Sequence, residues 1–545
     1  MPLPHAAHLI AELHALLELQ SADPHTPAVA LAIAELERDG ECTLLDRLRE
    51  STPEGLFEML RIPGLGPSRI HRLHQGLGID SLQGLEAAAR DGRLARLPRF
   101  GSAMAEQILR GISGLRETGT AFLLPHASAE AERLLAMVRA HPAVQRAAVA
   151  GAVRRRCEVV HDLDIVAECL GDPIAVATRV ARGDTVRSSL GHGSARVTIR
   201  FIDGTRLNLH CVPAREFVVA LWRATGNESH VASVVTHASA MGFRLGEVLT
   251  DALGNTVSLA DEPALYAAMG LAYVPPEMRE GLGETNAAAS RTLPTLVTLA
   301  DLRGVLHCHS QYSDGGTTIA ELADDAKRRG WSYIGISDHS QSAFYTGGLM
   351  RESIDRQHAE IDELNARLDG MRVLKGIEAD ILPSGDVDYP TEENDGFDYV
   401  IASVHSRFGM NEVQMTERVL KALDDPRVTI LGHPTGRLLL TREAYPIDMQ
   451  AVLAKAGADG VAVELNADPH RLDLDWRLCR DARRHGVRIE IGPDAHSRQG
   501  LDHAALGVDI ARKGWLTASD ILNAGDADAV LDFSRRRRAR AVAAH

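Results

Sequence analysis

The chain holds 545 residues, 45% of them hydrophobic and 24% charged, with a net charge of −15 at pH 7. That length exceeds one hydrophobic core and predicts three or four domains, while the acidic balance argues against a surface coated in nucleic acid. No run of about 18 apolar residues and no signal pattern occurs, and the six cysteines include no C-x-x-C pair, which argues against a membrane span and a disulfide framework and for a reducing cytoplasm. The first lysine is Lys327, so lysine Schiff-base chemistry is excluded upstream of it.

Residues 1–50 and 51–120 read as helices joined by glycine and proline turns. In the second stretch "RIPGLGPSRIHRL" places Gly64 and Gly66 in a tight turn ahead of a helix. Backbone N–H groups there can approach a phosphate unobstructed, and the helix N-terminus adds favourable potential. "RLPRFGSAMAEQILRGI" reads as a second copy at Gly101, although Arg99 stands where its first glycine belongs. An ordinary helical packing unit is the plain alternative for both.

Residues 121–213 change to mixed helix and strand, with "AVQRAAVAGAV", "DLDIVAE", "ARVTIRFI" and "TRLNLHCV" as strand candidates. Alternate residues of a strand share a face, so Asp162 and Asp164 can share a metal ion. Just upstream, Gly151 marks a turn followed by Arg154, Arg155 and Arg156. Residues 214–285 are mainly helical, and 286–302 have the small, polar composition of a linker. Strands and helices then alternate over 303–525, which predicts a parallel α/β domain, and 526–545 read as a solvated basic tail.

The strands of that α/β domain end in one kind of residue. "GVLHCHS" ends in His307 and His309 on one face, with Cys308 turned to the core, and Asp314 follows. The next strands end in Asp338 and His339, in Glu378, in His405, in His433, near Asn466, and in Asp494 and His496. A closed parallel barrel collects such ends at one mouth. Histidine and carboxylate without thiolate suit manganese, zinc or iron, and nine such groups exceed one ion's four to six ligands, so two or three bridged ions are expected. Arg407 and Arg437 follow ligand-type histidines and are candidate phosphate clamps; His470 lies in a loop nearby.

The order H-x-H, D, D-H, E, H, H, D-x-H resembles the polymerase-and-histidinol-phosphatase (PHP) domain. That resemblance implies a distorted seven-stranded barrel, a multinuclear centre held by His307, His309, Asp314, His339, Glu378, His405, His433, Asp494 and His496, and Glu378 as the bridging ligand. The paired glycine turns resemble helix-hairpin-helix motifs, which grip DNA backbone without reading sequence. A glycine turn, arginines and D-x-D, with "TGNESH" downstream, resemble the palm and thumb of the X family of DNA polymerases. The resemblance implies Gly151 and Arg154 as nucleotide-binding residues, and Asp162 and Asp164 as catalytic ligands of magnesium. Together the parts, in this order, are similar to bacterial and archaeal DNA polymerase X: a shortened N-terminal helical domain (1–50), a helix-hairpin-helix region (51–120), an α+β palm (121–213), a thumb (214–285), a linker (286–302), a PHP domain (303–525) and a basic tail (526–545).

The palm departs from its family pattern. Asn208 in "RLNLHCVP" stands where the third carboxylate is expected, and an amide oxygen carries no charge and accepts no proton from a primer hydroxyl. Ala152, His161 and Val231 also replace expected residues. The sequence therefore predicts a degenerate palm and a metal-dependent phosphoesterase acting on DNA 3′ ends, an exonuclease with 3′-phosphatase or abasic-site nicking as further activities, in repair. Expected partners are DNA ends, gaps and backbone, with a deoxynucleoside triphosphate as candidate palm ligand, no membrane, and a monomeric chain. The rivals are a working gap-filling polymerase with exonuclease, with Asn208 tolerated or Asp203 substituting, a non-catalytic DNA-binding scaffold, and a small-molecule phosphatase of the histidinol-phosphate type.

Overall fold

The computed structural model describes the chain apart from residues 1–12, 15, 18, 21–25, 40–43, 46, 49–51, 53–55, 57–58, 60–61, 63–64, 98–99, 118–120, 184–185, 192–193, 202–203, 344–345, 390–395 and 545. Two compact units emerge, Met1–Ala121 with Ala177–Leu209, and Phe122–Val176 with His210–His545. In the first, helices Pro67–Leu77, Leu82–Arg90 and Ser102–Glu117 place Ile70, Leu73, Leu85, Ala88, Ile108 and Ile112 in one apolar cluster through three- and four-residue spacings. The Ser81 hydroxyl caps the second helix by accepting the Gly84 N–H at 3.2 Å.

The strands β1 (Val144–Val149), β2 (Leu163–Cys169), β3 (Val186–Leu190), β4 (Arg196–Phe201) and β5 (Arg206–Val212) follow. β1 and β2 pair antiparallel within the second unit, and β3 and β4 do so within the first. Four of the five arise from the expected segments. β3, "VRSSL", was not anticipated, because its residues are polar and largely exposed and the pairing with β4 holds it instead.

The α/β region is a nearly closed barrel of seven parallel strands in chain order: β6 (Gly304–Val305), β7 (Tyr333–Ile336), β8 (Arg372–Asp380), β9 (Tyr399–Ser403), β10 (Ile430–Leu431), β11 (Ala462–Asn466) and β12 (Ile489–Gly492). Four of the five described helices between the strands start at side-chain caps, including reciprocal boxes at Thr318/Glu321 and Asn411/Gln414, while Arg351–Asn365 starts without one. β6 and β12 do not pair as strands. Ala495 bridges their upper ends, donating to the His307 carbonyl at 3.2 Å and accepting the His309 N–H at 2.9 Å. Lower down, the Asn523 amide donates to the Gly304 and Ile491 carbonyls and accepts the Ile491 N–H, replacing the missing ladder bonds.

The stretch expected as a solvated basic tail is a helix, Ala527–Ala544. Val530 and Leu531 are buried with Tyr333, Tyr399, Ile430 and Ala462, the first residues of four barrel strands, so this helix is the barrel's floor. Four consecutive arginines conceal the pattern. The buried face runs through Val530, Ser534 and Arg537 at helical spacing, and Arg537 donates to the Leu423 and Asp425 carbonyls. The segment 286–302 is likewise packed rather than loose: Val297 is buried and its N–H donates to Leu516. Val530→Asp is expected to lower stability by about 3 kcal/mol, because an unpaired carboxylate would enter an apolar floor; urea unfolding followed by tryptophan fluorescence measures it.

Candidate metal centre

Each barrel strand delivers its ligand-type side chains at its C-terminal end, opposite the floor. Beyond β6 the chain stays extended, so His307 and His309 face inward while Cys308 joins the apolar layer under the helices. His339 follows β7, Glu378 lies in β8, His405 follows β9, His433 follows β10, and Asp494 and His496 follow β12. Glu378 is the hub. Its Oε1 lies 3.0 Å from His433 Nε2, 3.2 Å from His405 Nε2 and 3.4 Å from His307 Nε2. Its Oε2 lies 2.9 Å from His339 Nδ1 and 3.7 Å from His309 Nε2. Asp494 Oδ1 adds contacts to His309 at 3.2 Å and His307 at 3.5 Å, and Asp314 reaches His339 and His496 at 3.5 Å each.

Three overlapping groups have ligand atoms close enough to share an ion: His309, Asp314, His339 and His496; His307, His309 and Glu378; His339, Glu378 and His405. The donor set fits divalent cations. Both ring nitrogens of His309 and Nε2 of His307 are buried without a formed hydrogen bond, a costly arrangement unless the lone pairs bind something else. Glu378, shared by two of the groups, is placed as a bridge would be.

Electrostatics couple this centre to protons. Burial alone would lower the ring of His405, but Glu378 and Asp380 hold it up at about 10. Against the same burial, Glu378 and Asp314 hold His339 at about 9, and Asp314 and Asp494 hold His496 at about 10. Burial and the neighbouring His496 and His339 cations instead push His309 down to about 4. Glu378 is itself held well below the carboxylate range, its burial being outweighed by His405, His307 and His339. His307 is likewise held well above the ordinary imidazole value, against burial, by Glu464 and Asp494, so without metal four of the rings carry protons at neutral pH and must lose them to become donors. Manganese binding is therefore expected to release protons at pH 7 and to tighten as pH rises toward 9. Isothermal titration in buffers of different ionisation enthalpy would measure this.

Several supporting residues escaped the sequence reading. Asp380 Oδ1 accepts from His405 Nδ1 at 2.7 Å, and Glu464 Oε1 accepts from His307 Nδ1 at 2.5 Å. Asn466, noted only as a strand end, donates to Asp494 at 2.9 Å. A usable signal was present: a glutamate inside the apolar run "GVAVELNA" has to be paired with something. Asp338 turns away from the centre to Ser310, Ser313 and Gln357. Of the two candidate clamps, Arg437 is held within the protein by Asp475 at 2.7 Å, the Arg471 carbonyl at 2.9 Å and Glu158 at 3.6 Å. Arg407 is exposed, and His470 is exposed and paired with Asp468 at 3.1 Å.

At the palm aspartates, Asp162 immediately precedes β2 and Asp164 lies in it, both half-buried. Gly151 has φ +60°, and a Cβ there would lie 1.9 Å from Asp164 Oδ2, so glycine is needed as much for the aspartate as for any phosphate. Arg154, expected to hold nucleotide phosphates, is committed to Glu262 through both Nη atoms, at 3.0 and 2.5 Å, and to Thr225 at 2.8 Å. Arg155 is engaged by Glu280 at 3.0 Å and by the Thr225 carbonyl. Asn208, on β5, accepts the Thr198 hydroxyl at 2.9 Å. In the helical region Gly66 precedes helix Pro67–Leu77 and Gly101 precedes helix Ser102–Glu117, each with open space where a Cβ would stand. Gly64 and Asp203 lie outside the described residues.

No described helix is long and apolar enough to cross a membrane. Family models match three regions: "SAM-like Helix-hairpin-helix tandem" over 57–113, "DNA polymerase beta thumb" over 220–280 and "PHP domain" over 306–468. The helix-hairpin-helix and thumb regions are DNA-binding modules. A probable phosphatase of Syntrophotalea carbinolica is 31% identical over 244 residues, 42% of this chain and 94% of that protein. A probable phosphatase of Clostridium acetobutylicum is 30% identical over 208 residues, 35% of this chain and 78% of that protein. The DNA polymerase/3′-5′ exonuclease PolX of Bacillus subtilis is 33% identical over 508 residues, spanning 92% of this chain and 89% of its own length. With its helix-hairpin-helix, thumb and PHP parts in that order, the chain belongs to the PolX family of DNA polymerase/3′-5′ exonucleases.

Proposed function

We propose that this chain shortens DNA from 3′ ends by metal-dependent phosphoester hydrolysis in the barrel, as a repair enzyme, and that its polymerase half chiefly holds DNA. One observation carries the reading: Glu378 lies within 3.7 Å of five histidine rings that come from four different strand ends. Two or three divalent ions, manganese, zinc or iron, would be held by the nine strand-end residues and would supply electrophilic activation of the phosphate. The protein's own part is to place the donors. Asp380 orients the His405 ring, Ala495 fixes the backbone of His307 and His309, and the closed floor keeps water from entering below. Removal of a 3′-phosphate or nicking beside an abasic site would use the same centre.

For the palm we propose weak or absent templated synthesis. Asn208 supplies no charge to a magnesium ion, and, in the other unit, Arg154 and Arg155 are each paired with a glutamate, Glu262 and Glu280, rather than open to a nucleotide's phosphates. DNA would be gripped through backbone N–H groups at the starts of the helices after Gly66 and Gly101, beginning with Ser68 in the first because Pro67 has none to donate, and the protein would act as a monomer.

The test uses chelator-free protein, manganese and a 3′-recessed, 5′-labelled duplex, with and without nucleotides. Nucleotide-independent shortening supports the proposal. Lengthening would favour a gap-filling polymerase, turnover of small phosphomonoesters alone a small-molecule phosphatase, and no turnover a scaffold.

A further inference from the structure

We infer that Glu464, which is not among the strand-end ligand candidates, sets the tautomer of His307 and the position of His433, and thereby governs metal occupancy of the barrel. The inference rests on the metal-dependent reading above and deepens it. Glu464 lies in β11 and its side chain is fully buried. Its Oε1 is 2.5 Å from His307 Nδ1, and its Oε2 accepts the His433 backbone N–H at 2.5 Å. Two residues further along the same face, Asn466 donates to Glu464 Oε2 at 3.3 Å and to Asp494 Oδ2 at 2.9 Å. One short segment of β11 thus touches three candidate ligands from three other strand ends.

Donor chemistry makes the contact directional. An ionised carboxylate only accepts, so the proton of a neutral His307 ring must sit on Nδ1. Its lone pair then lies on Nε2, which faces Glu378 at 3.4 Å and Asp494 at 3.5 Å. The neighbouring strand is shaped around this carboxylate: a Cβ on Gly492 would lie 2.3 Å from Glu464 Oε1 and 3.0 Å from the His307 Cβ. Glu490, paired in register with Glu464, is equally buried but has no contact with a ligand ring as close as that of Glu464. Burial and the neighbouring Glu464 push the Glu490 carboxyl well above the ordinary carboxylate range.

Glutamine at 464 keeps the shape and removes the second acceptor. Its oxygen can accept from His307 or from the His433 amide, and its NH₂ then confronts the other. The full-length wild type, Glu464→Gln and Glu490→Gln are compared for manganese bound per chain and for affinity for manganese alone. Glu464→Gln is expected to lose about 10- to 100-fold in affinity, with part of the bound manganese missing, while Glu490→Gln stays at the wild-type value. Equal loading of wild type and Glu464→Gln overturns the inference and leaves the metal-dependent reading standing. A wild type that retains no manganese overturns both. Should Glu464→Gln fail to fold, nitrogen-15 histidine ring spectra of the zinc-loaded wild type decide, with His307 assigned through His307→Gln. A proton on Nδ1 of His307 supports the inference, and a proton on Nε2 overturns it.

Discussion

Glu378→Gln is expected to lower manganese-dependent shortening of a 5′-labelled duplex by about 10²- to 10³-fold, the largest loss any single isosteric change in the barrel should produce. Glutamine fills the same volume in β8, so the strand and its pairing with β9 should survive. Charge is what changes. The wild-type carboxylate lies against His307, His309, His339, His405 and His433, and no second carboxylate spans all five rings. An amide presents one acceptor and one donor, and the donor would point its hydrogens at nitrogen lone pairs intended for a cation. Burial leaves no room for water to repair the mismatch. The assay is accompanied by metal analysis, because the bridge should fail in both. Full activity with full metal content would mean that the centre does not depend on Glu378.

The second large effect is a gain. Asn208→Asp is expected to raise nucleotide incorporation at a one-nucleotide gap by about 10²-fold, since a full negative charge replaces a dipole at a position where two-metal transfer relies on carboxylates. The Thr198 hydroxyl, 2.9 Å from Asn208 Oδ1, can donate equally to an aspartate, so β5 accommodates the change. The gain should not reach that of an intact polymerase, because Arg154 and Arg155 remain bound to Glu262 and Glu280. Adding Asp162→Ala should abolish it. A wild type that fills the gap as fast as Asn208→Asp would overturn the idea that the missing charge limits this palm.

The gathering of histidines and carboxylates was legible because the same residue types recur at one structural phase, the end of successive apolar strands, and no packing requirement would repeat them there. The carboxylates behind the ligands were harder to recognise. Asp380 and Glu464 act through distance in space, and only their presence in buried strands betrays them. Arg154 shows the converse: the motif order suggests a nucleotide-binding arginine and says nothing of Glu262, the partner that lies far along the chain. The last helix was misread because a run of arginines masks a buried face that itself includes Ser534 and Arg537 beside Val530. In each case the information was tertiary, and neither periodicity nor propensity encodes it.

The floor helix also bears on the order of events at the ribosome. All seven strands and every candidate ligand precede Val530 in the chain, yet the barrel interior stays open below until Val530 and Leu531 arrive. A nascent chain holding all the ligand-type residues would still lack the base against which Tyr333 and Tyr399 pack. Since domains fold as units during synthesis, a complete hydrolytic centre should form only after the DNA-holding parts upstream have already emerged. A chain stalled within the barrel would then be released as an unclosed scaffold rather than as a nuclease detached from its means of gripping DNA.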